Sequence, residues 1–521
     1  MSGRRIVLTG ENLTIDDINA VLANSEVTIE IADQAFAKIE RSKAFVDSSL
    51  DKKVIYGINT GFGPMASYII GATELEELQY NLVRSHAVGI GRPIRDEYVL
   101  ASMIVRLNTL IKGYSGISRA LAERLLMMIN KRIIPIVPEH GAVGTSGDLV
   151  QLAHIALALI GEGEAMYEGK REKSADIFAR LGIGEYKLQP KEGLALINGT
   201  SVMAGISAVL CREAEQLMAL AIKNGAFALE LVHGFSDAIS EKLHDLRPHA
   251  GQVMVAKLMR DILRSSKLLR DRHEFQEKFE VNHSVYQIPE EVQQVYSIRC
   301  IPQVLGPIFD TLARVKRDVE VEMNAVTDNP IVDVERGAFL HGGNFHGDYV
   351  AVAIDQLKAG IAKLTMLAER RTNFFLNDKI NKTFPPFMNL KKPGLTLGLQ
   401  GLQFVATSTT AQNQTLAYPH NVHSISTNGD NQDIVSMGTD AALMAAKVID
   451  NAFVVLAIEM ITLAQTVDFM KIQDDLATTS RSLYDAVRTQ MPVIIEDRVL
   501  TAELPRIVRL ARSTAPLRTI V

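Results

Sequence analysis

The segment "SVMAGISAVLCREAEQLMALAIKNGAFALELV", Ser201 to Val232, carries Ala, Leu or Met on most turns and has few glycines inside it. Ser297 to Asn324 and Tyr349 to Asn373 repeat the pattern. Segments this long exceed the usual globular helix, and together they predict a bundle of long parallel and antiparallel helices. Toward the N-terminus the spacing stays helical in "LEELQYNLVRSHA" from Leu75, "VLASMIVRLNTLI" from Val99 and "ALAERLLMMINKR" from Ala120. The first fifty residues are mixed. Thr14-Ile15-Asp16-Asp17 reads as a capping box, "VTIEI" from Val27 alternates like a strand, and Asp33 onward turns helical. Residues 54–68, "VIYGINTGFGPMASY", are glycine-rich and aperiodic, hence a loop. The fold class expected is mainly α, a long-helix bundle with a smaller mixed N-terminal domain, divided into residues 1–200 and 201–521.

Composition bounds the function. The 521 residues are 47% hydrophobic and 22% charged, ordinary for a globular chain with a large core and more than one structural unit. A net charge of −5, spread along the chain, offers no footprint for nucleic acid or an anionic membrane. Cys211 and Cys300 are the two cysteines, which excludes a disulfide framework. The apolar run after Arg4-Arg5 is only Ile6-Val7-Leu8, too short for a signal peptide. The stretch "NAFVVLAIEMITLAQTV" from Asn451, interrupted by Glu459, falls short of a membrane span. A cytoplasmic protein is expected.

Common catalytic motifs fail. There is no Walker loop, no H-E-x-x-H and no paired C-x-x-C, and Asp148 stands where a serine-hydrolase elbow needs glycine. Gly61 to Ala66 matches a loose dinucleotide fingerprint, but Pro64 starts a helix poorly and no βαβ repeat surrounds it. His244 with His249, and His341 with His346, lack a carboxylate or thiol partner at a ligand spacing, so no metal is expected. The polar loops remain. In "GTSGD", Gly144 to Asp148, small residues stand before an apolar helical pattern. The plain reading is a loop with Asp148 capping the helix behind it. The chemical reading is a self-made ring. If the Gly147 nitrogen attacks the Thr145 carbonyl, a five-membered ring closes across Ser146. Loss of water from that ring and from the serine side chain leaves a methylidene conjugated to an imidazolone. Glycine offers an unhindered amide and permissive dihedrals, and serine an eliminable hydroxyl. The product is a strong electrophile, which unmodified side chains do not supply.

The rest of the chain decides between these readings. "VIYGINTGFG", "NLVRSHAVG", "GTSGDLVQLAHIALALIGEGEA", "GLALINGTS", "YSIRCIPQVLGP", "NAVTDNPIV", "GGNFHGDYVA" and "NGDNQDIVSMG" follow one another in order over nearly its whole length. In this the chain resembles the aromatic amino acid ammonia-lyase and aminomutase family, and within it bacterial tyrosine ammonia-lyases. The resemblance implies a histidase/aspartase-like fold and a 4-methylideneimidazol-5-one (MIO) group formed autocatalytically from Thr145-Ser146-Gly147. It implies no metal or external cofactor, an aromatic amino acid as substrate, and a homotetramer with shared active sites.

It also implies roles. Tyr56 is the base that removes the β-proton; a phenol is neutral near pH 7, so the role calls for a positive field and hydrogen bonds. Tyr296 is its partner tyrosine, and Arg299 grips the substrate carboxylate with its planar fork. Asn198 bonds near the ring and the amine, while Gln293 and Phe345 complete the site. Two positions bear on specificity. Histidases carry a glutamate where this chain has Gln432, and a neutral amide suits a phenyl or phenol better than an imidazole N–H. Ser85-His86 also occurs in histidases, but His86 combined with Gln432 favours a phenol. L-tyrosine giving trans-p-coumarate and ammonia is therefore expected, with L-phenylalanine or L-DOPA as further substrates. Thr145 departs from the usual alanine, and Thr-Ser-Gly occurs in some bacterial aminomutases. A tyrosine or phenylalanine 2,3-aminomutase is the alternative, then a histidine ammonia-lyase. Pro64 after "GFG" leans toward a lyase. A non-enzymatic scaffold would need none of Tyr56, Ser146, Asn198, Tyr296 or Arg299.

Overall fold

The computed structural model describes residues 4–279 and 285–515. The N-terminal region forms as its sequence dictates. Strands β1 (Arg5–Leu8) and β2 (Thr28–Ile31) pair in parallel, Arg5 opposite Thr28, and bury alternate residues Ile6, Leu8, Ile29 and Ile31. Between them lies α1 (Ile15–Ala23), opened by a complete Thr14/Asp17 capping box. The free edge of β2 is closed by Asn130, whose side chain accepts from Ile29 N and donates to Ile29 O. Then follow α2 (Asp33–Ser49), α3 (Leu75–His86), α4 (Asp96–Leu110), α5 (Arg119–Asn130), α6 (Leu149–Leu159) and the short α7 (Glu192–Ile197).

The long helices are α8 (Ser201–Leu231), α9 (Ile301–Met323), α10 (Asp348–Leu376) and α11 (Gly438–Met470). Three agree closely with the sequence reading. The segment expected from Ser297 breaks at Cys300, because Pro302 suits a helix's first turn and not its interior; a separate turn, Tyr296–Arg299, precedes it. The fourth, α11, is the longest at 33 residues, and the sequence shows of it only an apolar stretch from Asn451. Its length and composition suffice to cross a membrane, contrary to that reading, but 72% of the apolar window is buried inside the protein. A helix covered on all sides is apolar all round and shows little periodicity.

The chain forms two compact units: Met1–Arg212 with Val315–Asp355 and Pro419–Ala445, and Glu213–Arg314 with Gln356–Tyr418 and Ala446–Val521. A division at residue 200 follows chain order; these units follow contacts. In the first unit α4 is central, buried from Tyr98 to Leu110. Its polar residues serve the end of α9: Asn108 donates to Met323 O at 2.9 Å, and Lys112, just beyond α4, to Asn324 O at 2.7 Å. Orphan carbonyls at a helix C-terminus are thus satisfied. In the second unit Glu459 of α11 takes Arg371 at 2.5 Å and Asn224 at 3.0 Å, all buried. The residue that interrupts the apolar run is the anchor of that core.

Candidate active site

The Gly144–Asp148 loop is wedged among three others in the first unit. Gly144 O accepts from Ser436 Oγ at 2.9 Å and from Gly347 N at 3.1 Å, and Met437 N donates to Val143 O. Ser146 O accepts from Asn198 Nδ2 at 3.1 Å and from Gly199 N at 3.3 Å, while Asp148 N donates back to Gly199 O at 2.8 Å. Gly147 has φ +73°, and a Cβ there would collide with the Gly199 carbonyl. Only glycine meets both demands. The residues fit the MIO group: position 147 has room only for glycine, the Ser146 carbonyl is held by two donors, and Asn198 Oδ1 is buried without a partner.

Gln432 closes the site over the serine. Its Nε2 donates to Ser146 Oγ at 2.8 Å, and its Oε1 accepts from Thr145 Oγ1 at 3.0 Å. The strand-like bridge of Gln432 with Thr427 holds it there, and Gly63, in the loop after Tyr56, lies against Asn428 of the same turn. Half-buried Tyr56 reaches across its own loop, its phenol oxygen accepting from Gly63 N at 3.0 Å. The Tyr56 ring stands edge-on to His341, 6.5 Å between centroids. Phe345 is half-buried in the His341–Gly347 loop tied to Gly144. Hydrogen bonds thus join Thr145, Ser146, Asn198 and Gln432 around Gly147, the Tyr56 loop meets the Gln432 turn at Asn428, and Phe345 sits in a loop tied to Gly144.

Ser85 and His86 end α3, which packs against α6 and α7. His86 Nδ1 lies 2.9 Å from Leu82 O, and Ser85 Oγ is 3.1 Å from the same nitrogen. Gln293, Tyr296 and Arg299 belong to the second unit. There Tyr296 is 72% exposed, and the Arg299 guanidinium lies 4.7 Å from its ring centre while donating to Gln294 O at 3.0 Å. Gln293 and Arg299 line a polar cavity of about 430 Å³. Among the described residues no cluster of three or more His, Cys, Asp or Glu is arranged for a metal. Buried His244 is spent on Ala238 O and Gln252.

Asp148 corrects the sequence reading. Its side chain does not cap α6, because backbone angles of φ −95° and ψ +49° turn it away. Instead Oδ2 accepts Val202 N and Met203 N, both at 2.9 Å, and Oδ1 takes the Thr439 hydroxyl at 2.5 Å. It caps α8, the helix that follows Asn198-Gly199. Burial pushes this carboxyl up to about 6, against those hydrogen bonds. Arg106, in the buried run of α4, is the second support. It donates to Ala195 O and, at 3.0 Å, to Thr327 O, on either side of the 198–199 turn. Burial lowers it to about 10, opposed by the charges of Asp328 and Asp148, so it stays protonated near neutrality. Lys191, at the start of α7, pairs with Asp328 at 2.8 Å, both fully buried. The one charged side chain in the stretch Tyr98–Leu110 of α4 was the available signal.

The chain is similar to known proteins over most of its length. The profile of aromatic amino acid lyases matches residues 13–489. The chain belongs to the aromatic amino acid lyase family. It is 41% identical over 500 residues to a histidine ammonia-lyase of Geobacillus thermodenitrificans, covering 96% of this chain and 95% of that protein. Its fold is similar to that of a tyrosine aminomutase from Streptomyces globisporus, with TM-score 0.93, 35% identity, and 98% and 97% of the two chains covered. A phenylalanine aminomutase of Pantoea agglomerans gives TM-score 0.93, 34% identity, and 98% and 99% covered. The lyase is therefore a carbon–nitrogen lyase of mainly helical, histidase/aspartase-like fold acting in a family of MIO enzymes.

Proposed function

We propose that this lyase deaminates L-tyrosine to trans-p-coumarate and ammonia, with L-phenylalanine and L-DOPA as further substrates. The MIO group formed from Thr145-Ser146-Gly147 supplies an electrophile that makes the substrate's amino group a leaving group. Tyr56 takes the β-proton, its oxygen oriented by Gly63 N. Asn198 holds the Ser146 carbonyl at 3.1 Å and keeps its own Oδ1 for the amine. Arg299 grips the carboxylate, with Tyr296 and Gln293 beside it, and Phe345 packs beside the prosthetic ring. Tyr296, exposed on the second unit, supports the reading that a homotetramer shares its active sites.

The observation that carries the specificity is His86 Nδ1 held 2.9 Å from Leu82 O, which leaves Nε2 for the substrate ring. Leu82 O can only accept, so we assign the hydrogen to Nδ1, with Ser85 Oγ 3.1 Å away free to accept or to turn to Leu82 O. In that tautomer Nε2 is the acceptor, matched to a phenol O–H. A site that can bond a hydroxyl favours tyrosine over phenylalanine, the slower substrate that lacks it. The test is turnover of tyrosine, phenylalanine, histidine and DOPA without added cofactor, with products identified. Coumarate and ammonia from tyrosine support the proposal, and urocanate from histidine as the main product refutes it. A second reading, a 2,3-aminomutase, is favoured by Thr145 and by the similarity to two aminomutases. Accumulating β-tyrosine would select it.

A further inference from the structure

Thr145 stands nearly fully buried beside the reactive serine, and its hydroxyl is directed at Gln432 Oε1, 3.0 Å away. Thr427 Oγ1 reaches the same oxygen at 3.5 Å. Two threonine hydroxyls thus face the carbonyl end of the Gln432 amide, and its amino end faces Ser146 Oγ at 2.8 Å. A primary amide can flip, exchanging donor and acceptor ends, unless its neighbours distinguish them. Before ring formation both serine and threonine do so. Ring formation removes the Ser146 hydroxyl as water, whereas the Thr145 hydroxyl, on a side chain outside the ring, stays.

We propose that Thr145 is a positioning residue for substrate selection. It pins Gln432 Oε1, so that Nε2, released from Ser146, faces the substrate as a hydrogen-bond donor. A donor matches a phenol oxygen, whereas on a substrate imidazole it meets only the unprotonated nitrogen and leaves the N–H without an acceptor. Alanine at 145 leaves Thr427 alone, at longer range, to set the amide. The inference rests on the proposed function and assigns its odd letter a task.

A carboxylate has two equivalent oxygens and no orientation to fix, so Gln432→Glu should abolish any effect of Thr145. The experiment is a four-protein cycle: wild type, Thr145→Ala, Gln432→Glu and the double variant, with Thr145→Ser as the conservative control. Two readouts are taken, intact mass and kcat/KM for tyrosine and histidine. Every protein should have lost the mass of two waters. Thr145→Ala should lower the tyrosine-over-histidine ratio roughly 2- to 10-fold, the worth of one neutral hydrogen bond. The same change should do nothing in the Gln432→Glu background, and Thr145→Ser should keep the wild-type ratio. An equal effect in both backgrounds, no effect in either, or a serine variant that behaves like alanine overturns the proposal. So does an unmodified mass for Thr145→Ala, which would give Thr145 a part in ring formation instead. Should the wild type use histidine and not tyrosine, the proposed function falls separately. The coupling between 145 and 432 is then read on KM for the accepted substrate, its presence supporting this proposal and its absence overturning it.

Discussion

Replacing Asp148 by Asn isolates one buried charge behind the tripeptide. Asparagine is close to an isostere of the protonated acid: its Oδ1 can accept the α8 amides, and its amino group can face the Thr439 hydroxyl. Burial raises the carboxyl from 3.8 to about 6, roughly 2 units, worth on the order of 3 kcal/mol. The folded protein holds this proton more tightly than the unfolded chain. The stabilisation is therefore complete below about pH 3.8 and is lost as pH rises through about 6. Wild type and Asp148→Asn should match near pH 4 in urea or thermal unfolding. By pH 8 the variant should be the more stable, by up to roughly 3 kcal/mol. The neighbouring Glu322 charge adds to the upward push, so the gap should narrow in a Glu322→Gln background. A difference that does not change with pH, or a wild type that gains on the variant as pH rises, would refute the reasoning.

Tyr56→Phe should leave thermal unfolding within about 1 kcal/mol of wild type, since one hydrogen bond from Gly63 N is lost. Its kcat on tyrosine should fall about 10²- to 10⁴-fold, the usual worth of a general base, as read by coumarate absorbance. Gly147→Ala places a Cβ against the Gly199 carbonyl at φ +73°, adding about 1–2 kcal/mol of left-handed strain to the clash. Thermal unfolding should show a lowered Tm, and the intact mass should show no ring. Arg371→Met strands Glu459 in the second unit's core and should cost about 3–5 kcal/mol by thermal unfolding. Adding Glu459→Gln should recover part of that.

Much of this was legible in the chain. Local rules placed the Thr14 capping box, the 54–68 loop and three of the four long helices, because caps, glycines and spacing act over a few residues. The start of α11 was not legible, since burial on every side erases periodicity. Site residues could be named by resemblance, but their linkage could not. Gln432 lies 286 positions from Ser146, and Arg106 89 from Ala195, so only tertiary structure joins them. Asp148 shows the limit of local reasoning: the cap was foreseen and the helix it serves was not.

The account turns on the three residues Thr145-Ser146-Gly147 becoming an electrophile, and intact mass spectrometry of the freshly purified chain reads that directly. The wild-type protein should weigh less than its sequence by two waters and deaminate tyrosine. Ser146→Ala should lack the loss that arises from the serine hydroxyl and be inactive. A wild-type chain at its full sequence mass that still releases ammonia would contradict the account.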